Sequence, residues 1–235
     1  MKFALIGHPV SHSFSAQYLN SRFANEGIDA HYELIDLPDI AHFEAIARSG
    51  KYNGFNVTIP HKRAIIPYLD ALSPEAEAVG AVNVVEVREG KLIGHNTDIV
   101  GFRNTLEPLL KPNHSNAVIL GTGGASQAVQ YVLNQLNIPF QLVTHKQLDA
   151  GIIDQLAPII INTTPLGMHP HINSMPNINY SQITHNHLVY DLVYNPTETR
   201  LLQLAQQQGA TVQNGLAMLY AQADAALNIW MDKSV

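Results

Sequence analysis

The chain has 235 residues, no cysteine and a formal net charge of −6 at pH 7. The missing cysteines exclude disulfides, thiolate metal sites and a cysteine nucleophile, and the acidic balance argues against a nucleic-acid-binding surface. Hydrophobic residues make up 46% of the chain and charged residues 14%. The sequence therefore predicts a globular protein with enough length for two modest domains.

No apolar run approaches the length needed to cross a bilayer, and the first one, Phe3–Ile6, is too short for a signal peptide. We therefore expect a cytoplasmic protein without a membrane partner. The 12 histidines show no spacing typical of a metal site, so no metal is predicted. Both a monomer and a homodimer are compatible with the sequence.

Strands alternate with helices through the first half of the chain, which is typical of α/β layering. The predicted strands are Phe3–Ile6, His31–Leu34 and Gly54–Ile59. The predicted helices are Ala16–Asn25, Ile40–Arg48, Ala64–Leu69 and Ile99–Leu110. Before the last of these helices, Ala81–Arg88 and Lys91–Gly94 predict a hairpin that turns at Glu89-Gly90.

A polar, proline-containing segment, 108–116, precedes a second α/β region. Its predicted strands are Ala117–Leu120, Phe140–Val143, Ile159–Asn162 and Leu188–Asp191. Its predicted helices are Ser126–Leu136, Thr199–Gln208 and Ala217–Trp230. Gly215, just before the last helix, indicates a close backbone approach. The pattern predicts two α/β domains joined near 98–115, with the last helix crossing back to the first.

Lys62 follows a short run in which Val57 and Ile59 alternate with polar residues, and Pro60 ends that run. The lysine is therefore expected at a strand-to-helix corner, where α/β proteins place groups that handle ligands. A lone lysine at such a position is more often a solvated surface charge, and the residues around it leave both interpretations open.

A strand, a glycine-rich turn and a helix follow one another around Gly121, Gly123 and Ser126. In the dinucleotide motif the first glycine permits a tight turn and the second lets backbone N–H groups approach a pyrophosphate at the helix N-terminus. Here Ser126 replaces the third glycine. A purely structural glycine turn is the alternative.

The end of the next strand lacks the acidic residue that an NAD site uses to bind the ribose hydroxyls. No Asp or Glu occurs from Thr122 through Leu148, and Val143 is followed by Thr144-His145-Lys146. A cationic or neutral rim would attract a 2′-phosphate, so the sequence favours NADP. The alternative is that Lys146 only solvates a loop.

Several ordered motifs together are more specific than any one of them. They are GHPVSHSFS (7–15), NVTIPHK (56–62), GAVN (80–83), NTDIVG (96–101), GTGGA (121–125), NTTPLGM (162–168), YDLVYNP (190–196) and GLAMLYAQA (215–223). With these motifs the chain resembles the shikimate dehydrogenase family over nearly its whole length. The resemblance implies NADP-linked, reversible reduction of a small-molecule substrate, 3-dehydroshikimate, to shikimate in aromatic amino-acid biosynthesis.

The resemblance also implies residue roles and domain bounds. Lys62 and Asp98 would form the catalytic pair. The substrate site would contain Ser13, Ser15, Thr58, Lys62, Asn83, Asp98, Tyr194 and Gln222. The NADP site would contain Gly121, Gly123, Gly124, Ala125, Thr144, His145, Lys146, Leu192, Gly215 and Met218. Residues 1–98 would form an α/β substrate domain and 99–216 a Rossmann-type domain, with the helix from about 217 to 235 packing on the first domain.

Three departures from the family pattern stand out. Ala16 and Tyr18 replace a proline and a histidine, and Thr144-His145-Lys146 replaces Asn-Arg-Thr. His145 thus takes the place of an arginine that would pair with the 2′-phosphate. The segment from Lys146 to Ile159 is short enough that the family's helix there is expected to be missing.

Two alternatives remain open at this point. One is a quinate/shikimate dehydrogenase that uses NAD or NADP. The other is a catalytically weak homologue that binds a shikimate-like ligand, as a sensor or accessory protein. Retention of both Lys62 and Asp98 argues against the second.

Overall fold

The computed structural model describes residues 1–11, 13–151 and 156–231. The chain divides into two compact units, Met1–Val100 together with the chain from Tyr220 onward, and Gly101–Leu219. We call them unit 1 and unit 2. Each contains one β-sheet with helices packed against it.

The structure contains these elements in its described part. The strands are β1 Lys2–Gly7, β2 His31–Asp36, β3 Gly54–Val57, β4 Ala71–Leu72, β5 Val84–Arg88, β6 Lys91–His95, β7 Ala117–Leu120, β8 Phe140–Val143, β9 Ile159–Asn162, β10 Leu188–Asp191 and β11 Thr211–Asn214. The helices are α1 Ser15–Glu26, α2 Phe43–Ala47, α3 Pro74–Val79, α4 Asp98–Leu106, α5 Gly124–Gln135, α6 His145–Ala150, α7 Arg200–Gln207 and α8 Leu216–Trp230. None of these helices is long and apolar enough to cross a membrane.

Unit 1 has a mixed sheet with the strand order β2-β1-β3-β5-β6-β4. Strands β2, β1 and β3 run parallel, and β5 runs antiparallel to both β3 and β6. The β5–β6 hairpin turns through Glu89 and Gly90, which both have positive φ angles, 52° and 76°. Two such residues are typical of the tight turn that matches strand twist. The predicted hairpin is confirmed.

Helices cover both faces of the unit 1 sheet. The apolar side chains of β1 alternate between these two faces. Phe3 and Leu5 face α1 and α8, whereas Ala4 and Ile6 face the other way, towards α2. The ring of Trp230 in α8 stacks on Phe3 with 4.6 Å between ring centroids. Gly54 leaves room for that indole, since a Cβ there would overlap it. The predicted return of the C-terminal helix to the first domain is confirmed.

Unit 2 has five parallel strands in the order β11-β10-β9-β7-β8. Strands β7, β9 and β10 are buried along their whole length, as expected for a parallel sheet covered on both faces. This is the Rossmann-type arrangement, so the predicted fold class is confirmed.

Some element boundaries were wrong. Strand β3 ends at Val57, two residues earlier than predicted. The predicted helix Ala64–Leu69 is a series of turns followed by a short 3₁₀ helix, Ile66–Tyr68. Pro67 explains this, because proline has no N–H for an α-helical hydrogen bond and its ring clashes with the carbonyl one turn earlier. For the same reason α4 stops at Leu106, before Pro108.

Four short elements were not predicted, one of them the two-residue strand β4. Helix α3 has a serine N-cap, a proline in its first turn and a left-handed Gly80 at its end. This combination is a sequence signal for a helix that could have been recognised. Strand β11 is a half-exposed edge strand. Helix α6 occupies the start of the segment in which a helix was expected to be missing; residues 152–155 of that segment lie outside the described residues.

Candidate active site

Four chain segments meet at one edge of the unit 1 sheet. Strands β1 and β3 are parallel neighbours and end at that edge, with Ile6 opposite Val57. Because β5 is antiparallel to β3, it begins there, and β6 ends there, with Val84 opposite His95. The segments 8–11, 13–15, 58–62, 83 and 96–98 are therefore brought together by sheet topology. The carboxyl edge of an α/β sheet is where ligands usually bind.

The loop after β3 lies directly against the end of β1. A Cβ on Gly7 would overlap the methyl group of Thr58 and come within 2.9 Å of the Ile59 carbonyl oxygen. The backbone N–H of His8 donates to that carbonyl at 3.0 Å. Glycine at position 7 is therefore required for the approach of the two loops, and it lets Thr58 lie against the end of β1.

Lys62 and Asp98 form an ion pair at this edge. Lys62 Nζ lies 2.6 Å from Asp98 Oδ2, and the two side chains are only 16% and 7% exposed. The Lys62 carbonyl accepts a hydrogen bond from Val82 N–H at 2.7 Å, which holds the lysine backbone. This lysine is thus a mostly buried, paired cation and not a solvated surface charge.

Asn83 fixes the second oxygen of the carboxylate. Its Nδ2 donates to Asp98 Oδ1 and to Thr97 Oγ1, both at 3.0 Å, and its Oδ1 accepts from Thr97 N–H at 2.7 Å. Nδ2 also lies 3.3 Å from Gln222 Oε1, on α8. Lys62, Asp98, Asn83 and Gln222 therefore form one hydrogen-bonded cluster.

Behind this cluster lies a buried layer that sequence reasoning missed. Tyr32 donates its hydroxyl to Asn56 Oδ1 at 2.7 Å, and Asn56 Nδ2 donates to the Asn83 carbonyl at 3.3 Å. Burial raises the pKa of Tyr32 well above its usual value, so the phenol stays protonated and can donate. A polar Asn56 inside an otherwise apolar strand was the available signal.

The remaining predicted substrate residues are distributed over both units. Ser15 is buried at the start of α1, and its N–H donates to Ser13 Oγ at 3.3 Å. Both serines follow β1, whose carboxyl end lies beside that of β3, the strand that leads to Lys62. Tyr194, half-buried, follows β10 in unit 2.

The glycine turn of unit 2 follows β7. Gly121 has a φ of +107°, and a Cβ there would lie 2.7 Å from Thr163 Oγ1. Gly123 is the N-cap of α5 without a capping side chain, and the space above its Cα is open. Gly124 and Ala125 are the first two residues of that helix. An uncapped helix N-terminus next to open space fits a pyrophosphate.

Comparison with known proteins identifies the family. A family model described as the shikimate dehydrogenase substrate binding domain matches residues 5–85. A shikimate dehydrogenase (NADP(+)) from Methanococcus maripaludis is 38% identical over 253 residues, which cover 96% of this chain and 90% of the relative. The chain belongs to the shikimate dehydrogenase family. The resemblance inferred from the motifs is confirmed.

Solved structures of the shikimate dehydrogenase family agree in fold. The Thermus thermophilus enzyme in complex with NADP(H) and shikimate is 30% identical, with a TM-score of 0.87, covering 99% of this chain and 94% of that one. The Listeria monocytogenes enzyme in complex with shikimate and NAD is also 30% identical, with a TM-score of 0.79, covering 100% of this chain and 92% of that one.

One departure from the shikimate dehydrogenase pattern, Tyr18, links two helices of the site. Its hydroxyl donates to Asp224 Oδ1 at 2.7 Å, and Arg22 donates to the same oxygen at 2.8 Å. The Tyr18 ring stacks on Tyr220 with 4.4 Å between centroids. Burial is the largest of the effects that raise the pKa of Tyr18. The cluster ties α1, which begins at Ser15, to α8.

A second departure, Thr144-His145-Lys146, forms the N-cap and first residues of α6 instead of a loop. Thr144 caps the helix through a capping box with Gln147. His145 Nδ1 lies 2.9 Å from Asp149 Oδ2, and the two side chains are 75% and 69% exposed. The rim expected to be cationic or neutral therefore includes an acidic group, Asp149, just beyond the sequence window that lacked one.

The last predicted cofactor residues lie at the ends of β10 and β11. A Cβ on Gly215 would overlap the Leu192 carbonyl oxygen, which confirms the predicted close backbone approach. Met218 is buried in the first turn of α8. Beside Leu192, Asp191 is fully buried, and this burial raises the pKa of its carboxyl to about 6.

Proposed function

We propose that this chain catalyses the NADP-dependent, reversible reduction of 3-dehydroshikimate to shikimate in aromatic amino-acid biosynthesis. The observation that carries the proposal is the 2.6 Å pair of Lys62 and Asp98, two mostly buried groups at an edge lined with hydroxyl and amide groups. The names of the relatives support the same reaction.

In this proposal Lys62 is the acid and base. Reduction of a ketone leaves negative charge on the oxygen, and a nearby ammonium can donate the proton as that charge develops. The same cation stabilises the developing alkoxide before the transfer, an effect worth about 3 kcal/mol where donors are preorganised. With 16% of its side chain exposed, Lys62 can regain a proton from water.

Asp98 would orient Lys62 and bind the substrate. Its contact with Asn83 Nδ2 at 3.0 Å prevents the carboxylate from rotating away from the lysine. A carboxylate can also accept a hydrogen bond from a substrate hydroxyl. In the reverse direction the pair would accept the proton from the shikimate hydroxyl.

Neutral donors and acceptors would recognise the remaining groups of the substrate. Ser13 and Ser15 would bind the carboxylate. The other hydroxyl and amide side chains suit a polyhydroxylated ring, since each of them can both donate and accept. They are Thr58, Asn83, Tyr194 and Gln222.

The cofactor would occupy unit 2, and the chemistry supplied by bound NADPH is hydride transfer to the carbonyl carbon. The pyrophosphate would bind at Gly121, Gly123, Gly124 and Ala125. The adenosine end would bind near Thr144, His145 and Lys146, and the nicotinamide end near Leu192, Gly215 and Met218. Unit 1 would then be the substrate domain, with predicted bounds 1–98 and about 217–235, and 99–216 the cofactor domain.

A quinate/shikimate dehydrogenase using NAD or NADP is the second candidate. It is favoured by Asp149, which puts a carboxylate 2.9 Å from the histidine expected to bind the 2′-phosphate. The cytoplasmic location, the absence of a nucleic-acid partner and the choice between monomer and homodimer stay predictions.

The test is a set of steady-state assays on the purified chain. We expect 3-dehydroshikimate to be reduced at ordinary enzyme rates with NADPH and more slowly with NADH. In the oxidation direction, we expect shikimate to be a much better substrate than quinate. Equal turnover of quinate would favour the second candidate. No turnover of any of these substrates would leave only a ligand-binding homologue.

A further inference from the structure

Asp191, the last residue of β10, is a fully buried carboxylate whose hydrogen-bond donors are all neutral. Its Oδ1 accepts from Asn162 Nδ2 at 2.9 Å and from Val193 N–H at 3.0 Å. Its Oδ2 accepts from Thr199 Oγ1 at 2.6 Å. Burying a charge without a cation is costly, so this residue has a role that a neutral side chain would not fill.

The carboxylate connects three segments at the carboxyl edge of the unit 2 sheet. Asn162 ends β9, and its carbonyl accepts from Leu192 N–H at 2.9 Å. Thr199 is the N-cap of α7, where its Oγ1 accepts from Leu202 N–H. The bond to Val193 N–H closes a turn across Leu192. Leu192 is thereby fixed from both sides.

The start of α8 depends on the same turn. Gly215 N–H donates to the Val193 carbonyl at 3.1 Å, and its missing Cβ lets the Leu192 carbonyl approach. Moving the 191–193 backbone would therefore move Gly215, which leads into the helix that contains Met218. These are the residues that the proposed function assigns to the nicotinamide end.

We propose that Asp191 is a positioning residue that holds the backbone of Leu192, Val193 and Gly215 in the form that receives the nicotinamide half of NADP. The inference rests on the proposed function, in which these residues bind that half. Only a carboxylate offers acceptor atoms to all three donors at once, because an amide at this position would turn one NH₂ group towards them. With a pKa of about 6, the carboxyl is mostly ionised at pH 7.

The test separates the two halves of the cofactor by binding, not by activity. Wild type, Asp191→Asn, Thr199→Val and Thr199→Ser are each titrated with NADPH and with adenosine 2′,5′-bisphosphate, which lacks the nicotinamide half. We expect Asp191→Asn to weaken NADPH binding about tenfold, as loss of a group that orients binding residues does in other sites. Binding of the bisphosphate should change by less than about twofold, since the adenosine half does not need this turn.

The threonine variants keep the test decisive if Asp191→Asn does not fold. Thr199→Val removes one donor and should weaken NADPH binding about threefold, whereas Thr199→Ser keeps the hydroxyl and should bind like wild type. Equal weakening of both ligands in Asp191→Asn or Thr199→Val would mean a general structural role and would overturn the proposal. Unchanged NADPH binding in either variant would overturn it as well.

The proposed function fails by a different result. Wild-type protein that binds NADPH with the pattern expected above, but does not reduce 3-dehydroshikimate, would refute the reaction and retain the positioning role. If the wild type reduces 3-dehydroshikimate but the variants do not bind the two ligands as expected above, the positioning role alone is refuted.

Discussion

Asp98 of unit 1 and Asp191 of unit 2 are both buried carboxylates at the edge of a sheet, but their partners differ in kind. Asp98, whose side chain is 7% exposed, has one oxygen on the Lys62 ammonium and the other on Asn83. Asp191 is not exposed at all and has only neutral donors, from Asn162, Val193 and Thr199.

The different partners indicate different roles, with Asp98 in the chemistry and Asp191 in holding backbone segments in place. A carboxylate paired with a partly accessible lysine can hold a proton donor in place while that donor exchanges protons with a ligand or with water. The three donors around Asp191 are neutral groups, and its bonds to them fix backbone segments instead. Although the two carboxylates are buried to a similar extent, we therefore expect different results when they are substituted. Substituting Asp98 should lower turnover, whereas substituting Asp191 should change cofactor binding and stability.

The largest expected effect is that of Lys62→Ala. Loss of the proton donor should lower kcat at least about 100-fold with little change in the KM for 3-dehydroshikimate. Steady-state kinetics with NADPH measures both values. The control is Lys51→Ala, which removes an exposed lysine. An unchanged kcat would show that Lys62 does not donate the proton.

Asp98→Asn should come next, with a kcat lower by about 10- to 100-fold. The amide keeps the shape of the side chain but does not balance the lysine charge, and it repels Asn83 Nδ2 if its own NH₂ faces that group. Kinetics is compared with Asp29→Asn, which alters an exposed aspartate. Wild-type turnover in Asp98→Asn would mean that the carboxylate charge is dispensable, and the contrast with Asp191 would then collapse.

We expect Asp191 to make the free energy of unfolding depend on pH. Its pKa is raised from 3.8 to about 6 in the folded protein, so the folded state binds the proton more tightly than the unfolded state. The stabilisation that this tighter proton binding gives the folded state is therefore full below about pH 4 and is lost as the pH rises through 6. Between pH 5 and 8, the free energy of unfolding of the wild type should fall by about 1 kcal/mol relative to that of Asp191→Asn.

Chemical denaturation of the two proteins at a series of pH values measures this difference. Asp29→Asn serves as the exposed control and should show no comparable trend. A constant difference between wild type and Asp191→Asn across the range would show that Asp191 does not titrate near 6, and would weaken the picture of a carboxylate held only by neutral donors.

The sequence predicted the parts of this picture that depend on local patterns. Strands β7, β9 and β10 have the predicted boundaries, because buried parallel strands are continuous apolar runs. The partly exposed edge strand β8 also has them, since three of its four residues are apolar. Strand β11 was missed because an edge strand that is half exposed carries no such run. The approach of Gly215 to Leu192 could be anticipated only as a close contact without a named partner.

The site shows the same limit. Lys62, Asp98 and Asn83 could be proposed from motifs, although their roles stay predictions. The pairing of Tyr32 with Asn56, 24 residues away, and of Asp191 with Asn162, 29 residues away, depends on sheet order. A local pattern does not contain that order. His145 was expected to face the cofactor, but its partner Asp149 lies one helical turn later, beyond the segment that the cofactor motif covers.

The smallest expected effect comes from a third kind of carboxylate, the exposed Asp149. Its pair with His145 is mostly solvated, and such pairs contribute at most about 1 kcal/mol to stability. His145→Arg supplies a permanent charge with bidentate geometry, so it should tighten NADPH binding about threefold and leave NADH binding and the melting temperature unchanged. Titration with both cofactors measures this, and Lys51→Arg controls for an arginine added elsewhere. If NADPH and NADH binding change equally, or neither changes, the 2′-phosphate does not contact position 145, and the adenosine end must be held by other residues of unit 2.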